Sequence, residues 1–322
     1  MAAPFHLRRK VHVVKRLIVA ALASVALALG ACGQTGGPNV EESVVEETGL
    51  TAKALNDYTW DELHEISWMM STAESYDAAR EIARQYGIVE EDGTLTTQTK
   101  QLFLGENRVI DVRVAGIVHD DFADRGGKVG LTFMTVGALA IRPMNDVSTV
   151  EGGWEASSLR AWLDTEGIAM FEEDLRDIIP YVNKYTNNIG RTADVASVTA
   201  TRDRLFVPSA HEICGDINWD AEEFRYLRGY ENIDSVLNAE GSQYECFRQA
   251  GVTYNSDPNG ILSLASSTGT SPWWYRSAYP FEFFGKGETG ITGYFYQVRE
   301  SGYPESEGYP EKPASVVIGF CI

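Results

Sequence analysis

The chain has 322 residues, enough for one large domain or two small ones, and its apolar and charged fractions, 44% and 23%, are those of an ordinary globular protein. Its formal net charge is −19; without the five basic residues of the first 32 (Arg8, Arg9, Lys10, Lys15 and Arg16), 22 basic residues stand against 46 acidic ones, a net −24. Such a surface repels phosphate backbones and speaks against nucleic acid as a partner; it reads first as a solvated exterior and second as an attraction for cations or a basic partner.

Residues 1–32 read as a lipoprotein signal peptide. A basic stretch ends at Lys15-Arg16, and Leu17 to Leu29 is an apolar run too short to span a bilayer comfortably. The run ends in Leu29-Gly30-Ala31-Cys32-Gly33, which resembles a bacterial lipobox. The resemblance implies export, lipidation of Cys32 on sulfur and an anchor to the outer face of a membrane; two or three acyl chains hold where one does not. Residues 33–56 read as a flexible tether. Fully stretched it would reach roughly 80 Å, with an average nearer 25–30 Å.

Residues 57–90 are expected to form a helical hairpin. Thr59-Trp60-Asp61-Glu62 has capping-box spacing, with Leu63, Ile66 and Met70 on one face. Ala79, Ile82, Ala83 and Tyr86 make a second stripe, stopped by Gly87. From Thr94 the period becomes two: Ile110, Val112 and Val114 alternate with Asp111 and Arg113, and 129–136 and 138–142 look like further strands. Gly152-Gly153-Trp154 then turns the chain into a short helix capped by Ser157 or Ser158. Leu159, Trp162 and Leu163 fall on one face of it, so Trp154, Leu159, Trp162 and Leu163 are expected core anchors. A second helix over 168–179 stops at Pro180. Leu205-Phe206-Val207 reads as a strand, and Ser209-Ala210-His211-Glu212 repeats the capping-box spacing. Residues 216–269 are loop-rich, with one helix near 244–250, and the last fifty residues are aromatic strands broken by Pro and Gly. With no βαβ rhythm, residues 91–322 form an α+β domain.

Three landmarks stand in order: Gly152-Gly153-Trp154 with Ser158-Leu159-Arg160-Ala161-Trp162-Leu163, then Trp273-Trp274-Tyr275-Arg276-Ser277, then Val317-Ile318-Gly319-Phe320-Cys321-Ile322. Over residues 57–322 they resemble an uncharacterised bacterial domain family of surface lipoproteins and phage-related proteins. The departures are Asp164 for the usual Asn and Ile318-Gly319-Phe320 where proline or arginine often sits. That family in turn is similar to the C-type-lectin and formylglycine-generating-enzyme superfamily. By fold analogy alone this implies a twisted antiparallel sheet with packed helices, in which the Trp-Arg-Ser strand and the C-terminal strand pair.

Chemical signals are few. Gly285-Lys286-Gly287-Glu288-Thr289-Gly290 is a literal GxGxxG, but the aromatic, β-like residues after it make it a glycine-rich hairpin rather than a dinucleotide turn. Asp120, Asp121 and Asp124 are weak metal candidates without calcium-loop spacing, and no metal or other cofactor is expected. The histidines beyond the signal, His64, His119 and His211, form no zinc pair, and no nucleophile elbow is present. Cys214, Cys246 and Cys321 allow one disulfide at most, and Cys321 between Phe320 and Ile322 suits a buried filler. The matching strand of the superfamily's oxidising enzymes carries a cysteine pair that Tyr275-Arg276-Ser277 lacks.

The expectation is therefore a non-enzymatic surface domain that binds a glycan or protein, held to the membrane by its lipid. An extracellular enzyme on the same fold, or a structural envelope lipoprotein, are the alternatives. Buried, perturbed carboxylates in a pocket would favour the enzyme; an exposed aromatic patch would favour binding. The expected contacts are Trp274, Tyr275, Arg276, Tyr279, Tyr303 and Tyr309, where stacking faces flank a guanidinium. Burial of Arg276 in an internal ion pair, or against backbone carbonyls, is the opposing reading.

Overall fold

A computed structural model describes residues 49–105, 108–218, 233–266, 269–280 and 293–322. The expected signal peptide with Cys32, residues 33–48 of the tether and the Gly285–Gly290 turn lie outside the described residues. The last part of the expected tether, 49–56, is instead folded. Leu55 is buried and its N–H donates to Gln98, while Lys53 pairs with Glu62. Apolar Leu50 and Leu55 have a core to enter, which the glycine and proline content of the preceding residues does not offer.

Thr59 opens α1 (Trp60–Ser71): its hydroxyl accepts the Glu62 N–H while the Glu62 carboxylate accepts the Thr59 N–H. Ser75 caps α2 (Tyr76–Gln85), which ends before Gly87 at φ +69°. Leu63, Ile66 and Met70 of α1 and Ala79 and Ala83 of α2 are buried. Residues 49–322 form one compact unit, so this hairpin shares the core of the strands. Trp60 shows how: its ring sits edge-on to Phe133 and Phe320, whose rings stack at 5.7 Å, and Phe171 closes the cluster.

Strands β1 (Thr99–Leu104), β2 (Arg108–Ile117) and β3 (Leu131–Thr135) form an antiparallel meander, and β4 (Ala140–Arg142) leaves for a second sheet. Ser157, rather than Ser158, caps α3 (Ser158–Trp162), accepting the Arg160 N–H at 3.1 Å, and the helix widens into a π-turn over Leu163–Gly167. The expected helix over 168–179 is reduced to α4 (Glu173–Ile178). Phe171 and Met170 are drawn off to bridge Leu104 and Gly105 at the end of β1. The hairpin β5 (Val182–Asn187) and β6 (Val198–Asp203) follows, a separate two-stranded sheet that the sequence reading passed over. Next come β7 (Leu205–Phe206), α5 (Ala210–Cys214), α6 (Ile233–Asn238) and α7 (Glu245–Gln249). The remaining strands are β8 (Ala265–Ser266), β9 (Gly269–Thr270), β10 (Trp273–Ala278), β11 (Phe295–Val298), β12 (Glu307–Gly308), β13 (Ala314–Val316) and β14 (Gly319–Cys321).

The fold is α+β, built on two five-stranded sheets in the orders β1-β2-β3-β14-β7 and β12-β11-β10-β13-β4. The first is antiparallel throughout; the second contains one parallel pair, β10 with β13. This corrects the expectation of a single antiparallel sheet. The Trp-Arg-Ser strand β10 has β11 and β13 as neighbours, while β14 inserts between β3 and β7. The two-residue link Val317–Ile318 carries the chain between sheets, and Thr135 accepts the Ile318 N–H on its hydroxyl at the crossing. Cys214, Cys246 and Cys321 are all free thiols, and burial pushes the first two up to about 12. Among the described residues no helix is long and apolar enough to cross a membrane.

Candidate functional site

The β5–β6 hairpin is the element on which the candidate site is built, and the Gly-Gly-Trp stretch holds it. Gly153 has φ +53°, and a Cβ there would lie 2.1 Å from the Asn187 carbonyl oxygen. The Trp154 indole N–H donates to Asp203 Oδ2 at 3.0 Å, and Arg160 Nε reaches Asp203 Oδ1 at 2.6 Å. Asn187 ends β5 and Asp203 ends β6, so both ends of the hairpin are gripped. Trp154, Leu159, Trp162 and Leu163 are all buried.

Alternation along β5 buries Val182, Lys184 and Thr186 and leaves Asn183 and Tyr185 on the other face. A lysine on the buried face needs partners, and all three Lys184 donors find them. Nζ lies 2.6 Å from Asp120 Oδ1, 2.5 Å from Glu212 Oε1 and 3.0 Å from the Tyr244 hydroxyl. Asp120 also accepts the hydroxyls of Thr132 at 2.6 Å and Tyr244 at 3.2 Å. Glu212 is the capping-box residue of α5 and at the same time takes Arg276 bidentately, at 2.5 and 3.0 Å. Arg276 spends its other N–H groups on Thr186 Oγ1 and the carbonyls of Val207, Tyr185 and Glu240.

These contacts decide the charge states. Burial would raise the Asp120 carboxyl, but Lys184 and His119 outweigh it and hold it well below the carboxylate range. Burial opposes ionisation of Glu212 too, and Arg276 and Lys184 win. Burial disfavours charge on Lys184, and Asp120 and Glu212 reverse that. Glu240 lacks a cation at its carboxylate: burial pushes it up to about 7 against the Asn187 N–H and the Ser277 hydroxyl that its oxygens accept.

A cleft of about 340 Å³ opens over this cluster, with Asp120, Lys184 and Glu212 as its buried lining and His119, Asp121, Lys128, Asn183, Tyr185 and Ser242 as its accessible one. His119 Nε2 lies 3.0 Å from the Ser242 carbonyl and hydroxyl oxygens, closing one side. Gly241, at φ +124°, lets the 239–242 loop approach Glu212, where a Cβ would come within 3.0 Å of its side chain. Val118, immediately before His119, has φ +47°, a costly conformation for a β-branched residue. It is fixed by the bonds Val118 N–H to Gly130 and Val129 N–H to Asp120.

The sequence-expected contacts fare differently. Trp274, Tyr275 and Arg276 have 0% exposure and Tyr279 has 2%. β10 is the central strand of its sheet and is buried on both faces, so its aromatics are core and Arg276 is the internal anchor of Glu212. Tyr279 stacks on Tyr296 at 4.0 Å. Tyr303 and Tyr309 are on the surface, 38% and 37% exposed, and Tyr309 reaches Tyr279 through the Tyr294 ring between them. Asp120, Asp121 and Asp124 do not converge: they pair with Lys184, Lys128 and Arg202 respectively. Among the described residues no group of three or more His, Cys, Asp or Glu is placed to hold a metal ion. Lys184, Tyr185, Asn183 and Glu240 were missed. The available signal was a lysine in phase with Val182 and Thr186 in an alternating stretch.

No curated protein and no solved structure matches the chain. One family does match, over residues 124–298, a span that takes in the Gly-Gly-Trp stretch, the whole β5–β6 hairpin and β10. The chain belongs to that family, described as a domain of unknown function, DUF6273.

Proposed function

We propose that the chain is an exported, lipid-anchored surface protein whose folded part binds a glycan in the Tyr185 cleft without chemistry on it. The observation that carries this is the character of the cleft. It is concave, most of its lining residues are polar, and Tyr185, 39% exposed, is among them with Asn183, Asp121, Lys128 and Ser242. Flat protein interfaces are built around apolar anchors, whereas a sugar ring offers an apolar C–H face for an aromatic and hydroxyls for paired donors and acceptors. The fixed cluster beneath is a rigid polar floor that loses nothing in ordering on binding. The Leu-Gly-Ala-Cys ending at Cys32 supports the anchor, and the likeness of the Trp-Arg-Ser stretch to lectin-like domains supports the ligand class.

Buried, perturbed carboxylates beside a pocket also favour a second reading, an extracellular enzyme. The direction of the shifts weighs against it. Asp120 and Glu212 are held ionised, and their oxygens are spent on Lys184, Arg276, Thr132 and Tyr244, so neither of them carries a proton near neutral pH. Glu240, at about 7, is fully buried.

The test is a glycan array probed with the purified full chain in detergent. A bound glycan should be recovered unaltered by mass spectrometry, and Tyr185→Ala should weaken binding at least about tenfold with Tm unchanged. Cleaved glycan would favour the enzyme; binding indifferent to Tyr185→Ala would remove the site.

A further inference from the structure

Beyond Asn183 the solvent face of the hairpin runs on to Tyr181, and there a second and larger cleft opens, about 570 Å³. Tyr185 and Tyr181 are four residues apart on an extended chain, roughly 13 Å. The segment 119–128 flanks both openings. His119, Asp121 and Lys128 line the first, and Phe122 and Arg125 line the second. The two clefts therefore lie in succession along one loop and along one stretch of chain, the second at the residues that lead into β5 and the first on the strand itself.

The second cleft differs in charge. Arg125 is packed between aromatic rings, its guanidinium carbon 3.7 Å from the centre of Phe122 and 4.8 Å from that of Trp68. Arg204, also in the lining, uses Nε on the Ile179 carbonyl. Among the described residues neither guanidinium has a carboxylate within ion-pair distance, and nothing accepts from Arg125 or from the Arg204 Nη groups. Arg202, over the Tyr181 ring at 4.6 Å, already holds Asp124. Asp177 is the one lining carboxylate outside an ion pair. In a chain of net charge −19, two guanidiniums without a carboxylate partner line this one cleft together with a tyrosine. Stacking holds an arginine by its face and leaves its N–H edge for a planar anion.

We propose that the two clefts are consecutive subsites of one track for an acidic polysaccharide, with a sugar ring on Tyr185 and a uronate carboxylate taken by Arg125 and Arg204. The inference rests on the glycan reading of the Tyr185 cleft and names the class of glycan. The acidic surface opposes a polyanion only weakly at physiological salt, where charges are screened beyond about 8 Å, while the arginine contacts act at hydrogen-bond distance.

The experiment measures binding of the full chain in detergent to polygalacturonate, alginate and hyaluronan, to their carboxyl-reduced forms, and to dextran sulfate. At least one polyuronate should bind about tenfold or more tightly than its carboxyl-reduced form. The double variant Arg125→Gln/Arg204→Gln should erase that difference, leaving Tm and the affinity for the reduced polymer unchanged. Tyr185→Ala should weaken both polymers. Equal affinity for native and reduced polymers, no effect of the double variant, or equally tight binding of dextran sulfate overturns the acidic track and leaves the glycan reading standing. Failure of every polymer and of the neutral array to bind overturns both.

Discussion

Lys184→Met is the sharpest test of the cluster beneath the cleft. Met keeps an apolar stem of similar length and removes the ammonium that Asp120 and Glu212 share at 2.6 and 2.5 Å. Glu212 retains Arg276, so its loss is partial. Asp120 retains only the hydroxyls of Thr132 and Tyr244, its weak thiol contact with Cys321 and the neighbouring His119, and is the stranded charge. Removing one partner of a buried pair costs about 3–5 kcal/mol, roughly 10 °C in Tm for a unit of this size. The sign of the pH dependence follows from the depressed Asp120 carboxyl. In the wild type its contribution is present above the unfolded value near 3.9 and lost as pH falls through the lower folded one. Without Lys184 that contribution is gone, so the deficit of the variant should shrink below about pH 4. Urea titration at pH 7 and pH 3 measures both, and Asp120→Asn/Lys184→Met should recover about 2 kcal/mol or more relative to the sum of the single changes. A loss under about 1 kcal/mol at pH 7, or strict additivity, would show that the cluster does not bear on stability and would refute the reasoning.

Three further expectations concern separate parts of the chain. Trp154→Ala should cost about 3–5 kcal/mol in urea, because a fully buried indole and its bond to Asp203 are both lost; a loss under about 1 kcal/mol would mean that the Gly-Gly-Trp stretch does not hold the hairpin. Glu240 is raised from 4.5 to about 7, so its contribution is full below about pH 4.5 and is lost as pH rises through 7, about 3 kcal/mol in all. Glu240→Gln should flatten that part of the stability curve, and an unchanged slope between pH 5 and 8 would contradict the assignment. Metabolic labelling with a fatty-acid analogue should mark the wild-type chain and not Cys32→Ala, and equal labelling of both would exclude the lipid anchor.

What the sequence determines here is local. The capping boxes at Thr59 and Ser209, the Ser157 cap and the apolar stripes of α1 and α2 depend on contacts within a turn or two, and they stand in the structure where spacing places them. The alternation of β2 is likewise visible, because one half-exposed face leaves a period of two. Strand partners are another matter. β10 reads as an exposed aromatic run but is the centre of a sheet, because burial on both faces erases the alternation that marks a surface strand. β14 and β10 lie in different sheets through a link of two residues that no propensity records. Glu212 announces itself as a helix cap, and only the tertiary structure brings Lys184 and Arg276 to it from 28 and 64 positions away. The two clefts have the same origin. The first draws on the 119–128 loop, β5 and the 239–242 loop, gathered by the need of a buried lysine for carboxylates, and the second on His64, the same 119–128 loop, residues 177–181 and Arg204, all separated by tens of residues in the chain.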